Sequence, residues 1–223
     1  MKFLFTFLFS LLFTATIYAQ DIDTAFYSVV TSGTVTGNQK SWRTGTNEYH
    51  YIYFFNDRGR GNNVQAVVKT DKEGLITSLK ADGVDYFKNP YNENFEVVGD
   101  SAVWTINNNR KTKRFNNEWY PSSVAPALTE LQANWLLRQR DKKGNTLLGN
   151  VIHTEEAVVK NISLNGKPAT LRLHAFYTDS VPLPQYVWFT NDMRFFATVG
   201  PWRSVIQKGY ETWTDTLLVL QER

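Results

Sequence analysis

Three histidines, at positions 50, 153 and 174, are the natural starting points for acid–base or metal chemistry. Such chemistry wants two imidazoles on one face, as His-x-His on a strand or His-x-x-x-His on a helix provides. Neither spacing occurs. His50 lies between Tyr49 and Tyr51, and His153 precedes Thr154-Glu155-Glu156. In a strand the adjacent Glu155 and Glu156 point to opposite faces, so they do not converge as a glycosidase acid/base pair. The chain has no cysteine, which removes thiol nucleophiles and thiolate ligands. It also lacks a Gly-x-Ser-x-Gly elbow and a phosphate-cradling glycine loop. The reading is of a chain with no catalytic residue, no metal ligand and no cofactor.

Two other groups can bind rather than react. In Asn56-Asp57-Arg58-Gly59-Arg60-Gly61, Arg58 and Arg60 on a tight loop can hold a carboxylate or phosphate in bidentate fashion. The structural alternative has Asp57 capping the turn and the glycines supplying its backbone geometry. Tyr186, Trp188 and Trp202 form an aromatic group that lines an apolar cavity, docks a partner or simply fills the core.

The elements that must carry these residues read as strands. Residues 25–35, 48–55, 64–70, 75–80, 84–87, 95–98 and 102–106 are rich in β-branched and aromatic side chains, with turns such as Asp71-Lys72-Glu73-Gly74 and Ala81-Asp82-Gly83 between them. A second block follows at 151–164, 169–178, 186–190 and 195–199. Between the blocks, Leu128, Leu131, Trp135 and Leu136 recur at helical spacing and predict a helix over 123–140. Val205, Ile206, Tyr210, Trp213, Leu217 and Leu220 predict another over 203–221. Trp135 and Trp213 are expected to be the stabilising aromatics of these helices. The expected class is α+β, mainly antiparallel sheet, as a curved sheet, sandwich or open barrel.

The first residues have a separate meaning. Lys2, an apolar run from Phe3 to Phe13 and Ala19 before Gln20 make a secretory signal, with cleavage expected after Ala19. The apolar run is too short to span a bilayer as a helix, which takes about 20 residues. Residues 20–223 then form one β-rich domain, exported to the periplasm or beyond, with no stable membrane anchor. Losing Lys2 lowers the formal net charge from +3 to +2, too balanced to argue for nucleic acid. The run Arg110-Lys111-Thr112-Lys113-Arg114 reads as a solvated loop or strand edge.

Four strings in order (residues 49–61, 75–86, 186–189 and 195–202) resemble the N-terminal β-rich region of exported bacterial amidohydrolases of the imidazolonepropionase-like kind. The resemblance spans most of residues 25–220. In that family a metal-dependent barrel follows this region, and no position here matches a residue of its metal site. The resemblance therefore implies a noncatalytic domain that packs against a hydrolase barrel, through an apolar patch near the C-terminal helix. The alternative expectation is a periplasmic carrier of an apolar or lipid-like ligand, which requires an internal pocket.

Overall fold

The computed structural model describes residues 23–164 and 166–222; the leader at 1–19 lies outside the described residues. The first block forms β1 (Thr24–Thr31), β2 (Thr34–Thr44), β3 (Glu48–Phe55), β4 (Asn63–Thr70), β5 (Ile76–Val84), β6 (Pro90–Val98), β7 (Ser101–Ile106) and β8 (Asn109–Arg114). A 3-10 turn at Pro126–Leu128 leads into α1 (Thr129–Arg138). The second block is β9 (Lys143–Asn145), β10 (Val151–Leu164), β11 (Lys167–Thr178), β12 (Val181–Thr190), β13 (Phe195–Thr198) and β14 (Arg203–Gln207). A 3-10 turn at Glu211–Trp213 then opens α2 (Thr214–Gln221). Among the described residues no helix is long and apolar enough to cross a membrane.

All the strands join one antiparallel sheet in the order β8-β7-β6-β5-β4-β3-β2-β1-β14-β13-β12-β11-β10-β9. Two meanders meet where β14 returns to β1, with Tyr27 opposite Gln207 and Thr31 opposite Arg203. The sheet curves without closing into a barrel. Its nearest approach to closure is a parallel bridge in which the Trp119 N–H donates to Asn145 and the Leu147 N–H donates to Trp119, both at 2.8 Å. The edge strand β8 carries Arg110, Lys111, Lys113 and Arg114, so the basic run is a strand edge; charge there discourages pairing with another chain.

Side-chain alternation explains the curvature's filled side. Tyr51, Tyr53 and Phe55 of β3, Val64, Ala66 and Val68 of β4, and Ile76, Leu79 and Ala81 of β5 turn inward, where they meet Ala133, Trp135 and Leu136 of α1. Trp135 stacks on Trp119 with centroids 5.4 Å apart. Gly144 makes that possible, because a Cβ there would sit 2.1 Å from the Trp135 ring. Gln39 is fully buried, and its Oε1 accepts the Ala127 N–H at 3.3 Å, fixing the approach to α1. A second cluster lies on the other face of the C-terminal strands. There Leu171, Leu173, Trp188, Phe196, Ala197 and Ile206 pack under Tyr210 and Leu217.

The α+β expectation of a mainly antiparallel, curved sheet holds, and α1 lies within 123–140. Other boundaries need correction. The helix expected over 203–221 begins at Thr214; Val205 and Ile206 belong to β14, because that segment supplies the backbone partner β1 needs. Trp213 is only partly buried against the second cluster, whereas Trp135 is buried. Residues 25–35 contain a hairpin: Ser32 and Gly33, both at positive φ, join β1 to β2. Residues 81–83 are strand, not turn. A Cβ at Gly83 would lie 2.0 Å from the Asn63 carbonyl oxygen, so this glycine permits close strand approach. The turn falls instead at Asp85–Asn89, displacing the strand expected at 84–87.

Candidate functional site

Antiparallel order puts the β2–β3 turn (Gly45–Asn47), the β4–β5 turn, the β12–β13 turn and Asp23 at one end of the sheet. α1 runs across this end. Its inner side enters the core, while Glu130, Asn134 and Arg138, spaced four apart, line a cleft of about 570 Å3 against β2 and β3. Tyr49 and Tyr51 line it from β3, with Ala127 and Leu131 from the helix segment.

Along one wall of the cleft an acid–base–acid chain runs through Arg194. Its Nη1 donates to Asp23 Oδ2 at 2.6 Å. Its Nε lies 3.2 Å from Glu130 Oε1, ion-pair distance without the angle of a hydrogen bond. Glu130 Oε2 accepts the Phe195 N–H at 2.7 Å. Burial raises the Glu130 pKa above the usual carboxylate range, against the lowering effects of that N–H and of Arg194. Burial, reinforced by the Glu130 charge, also raises the pKa values of Tyr27 and Tyr51, so both hydroxyls stay neutral. Asp71 Oδ1 accepts the Leu75 N–H at 2.8 Å, which orients its carboxylate without cancelling its charge. Beyond the Asp23–Arg194–Glu130 chain, the lining carries three cations, Arg43, Lys72 and Arg138, against Asp71. Arg43 has no ion-pair partner among the described residues, Lys72 reaches only its exposed neighbour Glu73 at 3.6 Å, and Arg138 donates to the Lys72 carbonyl at 3.4 Å.

Among the described residues no nucleophile–base pair lines this cleft, and no three His, Asp or Glu side chains gather as a metal site. Elsewhere, buried Glu93 is occupied structurally: it accepts from Tyr91 and from Ser122, at 2.9 Å in the latter case, and so ties residues 119–125 to β6. The arrangement is suited to holding a ligand.

Three of the residues singled out in the sequence meet at the opposite end. Arg58 and Arg60 occupy the β3–β4 loop and Trp202 the β13–β14 loop; Tyr86, in the β5–β6 turn, joins them. Asp57 accepts from Arg58 Nε at 3.1 Å and from the Tyr86 hydroxyl at 3.0 Å. The Arg60 guanidinium lies 5.7 Å from the Tyr86 ring centre, and Trp202 meets that ring edge-on at 6.0 Å. Asp57 and the glycines do shape the turn, since a Cβ at Gly61 would lie 2.1 Å from the Phe55 carbonyl oxygen. Tyr186 and Trp188 do not join them. Trp188 is fully buried in the second cluster and has no surface to offer a ligand, and Tyr186 packs partly buried beside it. The cleft residues Glu130, Arg194, Tyr49 and Tyr51 were not singled out in the sequence. Their signal was the alternating Tyr49-x-Tyr51-x-Tyr53 and an acid on the polar side of α1, both ordinary features of a packed fold.

No protein-family model matches the chain, and no curated protein matches it. Among solved structures it is similar to the crystal structure of a β-barrel-like protein of a domain of unknown function, DUF1849, from Brucella abortus. The two share 10% identity at a TM-score of 0.49, over 82% of this chain and 94% of that one.

Proposed function

We propose that this chain is an exported, noncatalytic binding protein that takes a small amphipathic anion into the cleft beside α1. The carrying observation is the cleft itself: a space of about 570 Å3 in which tyrosines and Leu131 face a rim where Arg43, Lys72 and Arg138 outnumber Asp71. The size suits a small molecule, and the charge suits an acid head group above an apolar tail. Trp135, Leu136 and Trp119 occupy the concave interior of the sheet, so this carrier holds its ligand at the mouth and not deep within.

Calorimetric titration of residues 20–223 with octanesulfonate, which remains anionic at all working pH values, tests the reading. Binding is expected, with octanol much weaker. Arg43→Ala and Arg138→Ala should each weaken it about 5-fold, the scale of one exposed charge interaction. Asn134→Trp should block it by filling the cleft without touching the core. Because Glu130 takes up a proton at higher pH than an ordinary carboxylate, lowering the pH removes a negative charge early. Anion affinity should therefore rise as pH falls toward that raised pKa, and Glu130→Gln should flatten the trend. Equal binding of octanol, or indifference to Asn134→Trp, would discard the proposal.

The hydrolase-accessory reading called for an apolar face near the C-terminal helix. In α2, Leu217 is fully buried, Leu218 and Leu220 pack partly against the same cluster, and Val219 is half-exposed. That reading has the family resemblance alone behind it, and mixing the chain with such a barrel tests it through complex formation.

A further inference from the structure

We propose that the loop end opposite the cleft is a docking surface for an anionic phospholipid bilayer. The proposal is independent of what the cleft binds. Arg58, Arg60 and Lys88 are exposed there and Arg203 is half-buried, so four cations share the tips of three loops. The nearby acids, Asp57 and Asp85, are turned to internal duty. Asp57 bonds Arg58 and Tyr86, and Asp85 accepts the backbone N–H groups of Phe87 and Asn89 at 2.9 and 2.8 Å. Those bonds hold both carboxylates ionised, and the four cations still exceed the two acids, so the net charge of this end is positive.

Aromatic rings stand among the cations. Phe87 is 67% exposed and Trp202 is 42% exposed, and both lean edge-on against Tyr86, at 5.2 and 6.0 Å. Arg203 lies 4.8 Å from the Trp202 ring centre. The surface is held in place. Lys88 Nζ donates to the Gly61 carbonyl at 2.8 Å, the Gly61 N–H donates to Tyr86 at 2.8 Å, and the Ser32 N–H donates to Trp202 at 2.9 Å. Arg58 and Lys88 adopt positive φ of 51° and 68°, a region where asparagine or glycine is the easier choice. Soluble polyanions need only the charge. A bilayer surface uses both parts, cations for the lipid phosphates and aromatic rings at head-group depth.

Co-sedimentation of residues 20–223 with vesicles decides the matter, comparing phosphatidylcholine alone with a mixture containing about 30% phosphatidylglycerol, at low and physiological ionic strength. Binding to the anionic vesicles alone, weakened by salt, is the expected result. Arg58→Gln and Arg60→Gln should each weaken partitioning about 5-fold, and the pair about 30-fold. Phe87→Ser, at an exposed position, should weaken it by a further factor of about 5. Lipids brominated in the acyl chain should quench the part of the fluorescence that Trp202→Phe removes. Asn134→Trp should bind vesicles as the unaltered chain does, which separates this surface from the cleft. Absence of binding at low salt, equal binding to phosphatidylcholine, or no quenching of Trp202 would overturn the proposal. So would indifference to Phe87→Ser together with equal binding to dextran sulfate, the signature of a soluble-polyanion surface.

Discussion

Strands β3–β5 and strands β12–β14 sit in one hydrogen-bonded sheet and contribute to one α1-centred core, yet their outer faces have different fates. In β3, Tyr51, Tyr53 and Phe55 are buried, while His50 and Ile52 face outward and retain contact with water. In β12, Val187 and Phe189 join the α1 cluster, and Trp188 between them is just as buried, because α2 and Tyr210 cover that side. The difference teaches that covering, and not strand direction, decides the pattern. An antiparallel sheet with one wet face alternates; where a second layer lies on it, runs such as Tyr186-Val187-Trp188-Phe189 and Phe195-Phe196-Ala197 become apolar throughout.

The sharpest way to break that comparison is to truncate the same residue type on the outer face of each half. Trp188→Ala removes a fully buried ring and should cost about 3–5 kcal/mol. Trp42→Ala, on the outer face of β2, gives up a stack with His50 at 4.9 Å and a contact with Lys40 at 4.7 Å, and should cost about 1 kcal/mol or less. Urea unfolding of both variants measures the contrast. Equal losses would mean that the second layer contributes no more than the open face does.

The cover can be tested next. Leu217 is fully buried beneath α2, whereas Val219, two residues on, is 51% exposed. Leu217→Ala should cost about 2–3 kcal/mol, near the lower end of leucine truncations because the helix can settle toward the gap. Val219→Ala should change stability by about 0.5 kcal/mol at most. The same denaturation measurement reads both.

The two halves also differed in how much of them could be read in advance. The strand at 48–55 was legible to the residue, because alternating tyrosines and a turn at either end leave few choices. The strand at 151–164 was legible too, from its β-branched residues and the Asn165-Gly166 turn signal that follows it in the sequence. The second strand, Thr34–Thr44, was missed beyond its first two residues, since Gly37, Asn38, Gln39 and Lys40 carry little strand propensity; pairing with β1 and β3 on both sides holds it extended. In the twice-covered half, 205–220 matched a helix because any dense apolar segment offers some residues at helical spacing, and only the vacancy beside β1 distinguishes the alternatives. Arg58, Arg60 and Trp202 stood out in the sequence as residue types only; their meeting at Tyr86 depends on β14 returning to β1, a contact between chain segments more than a hundred residues apart. The cleft was not legible at all, because Asp23, Arg194 and Glu130 come from three remote segments.

The last comparison concerns the histidines of the two halves. His50 lies on the wet face, within hydrogen-bonding reach of Glu48 and Thr44. His174 of β11 is buried edge-on to Phe189, with Nδ1 3.3 Å from Thr154 Oγ1 and Nε2 without a hydrogen-bond partner among the described residues. Burial lowers its pKa below the ordinary imidazole value; the Glu156 charge opposes this, while Lys142 and Arg172 add to it. Below about pH 6.5 the unfolded chain therefore takes up a proton that the folded chain resists, and stability falls as pH falls until the lowered folded pKa is passed. The slope from this one group is at most about 1.4 kcal/mol per pH unit. Glu130 acts in the opposite sense, because its raised pKa destabilises the folded chain at high pH and that penalty is relieved on acidification. The total pH profile mixes the two, so the informative quantity is a difference. His174→Gln keeps a polar group beside Thr154 but cannot take the proton. The stability of the unaltered chain relative to this variant should be level above about pH 7 and decline toward about pH 5.5, as read by thermal melts across that range. A level difference throughout would show that water reaches His174, and with it that the α1-facing core beside Val187 and Phe189 is looser than its burial indicates.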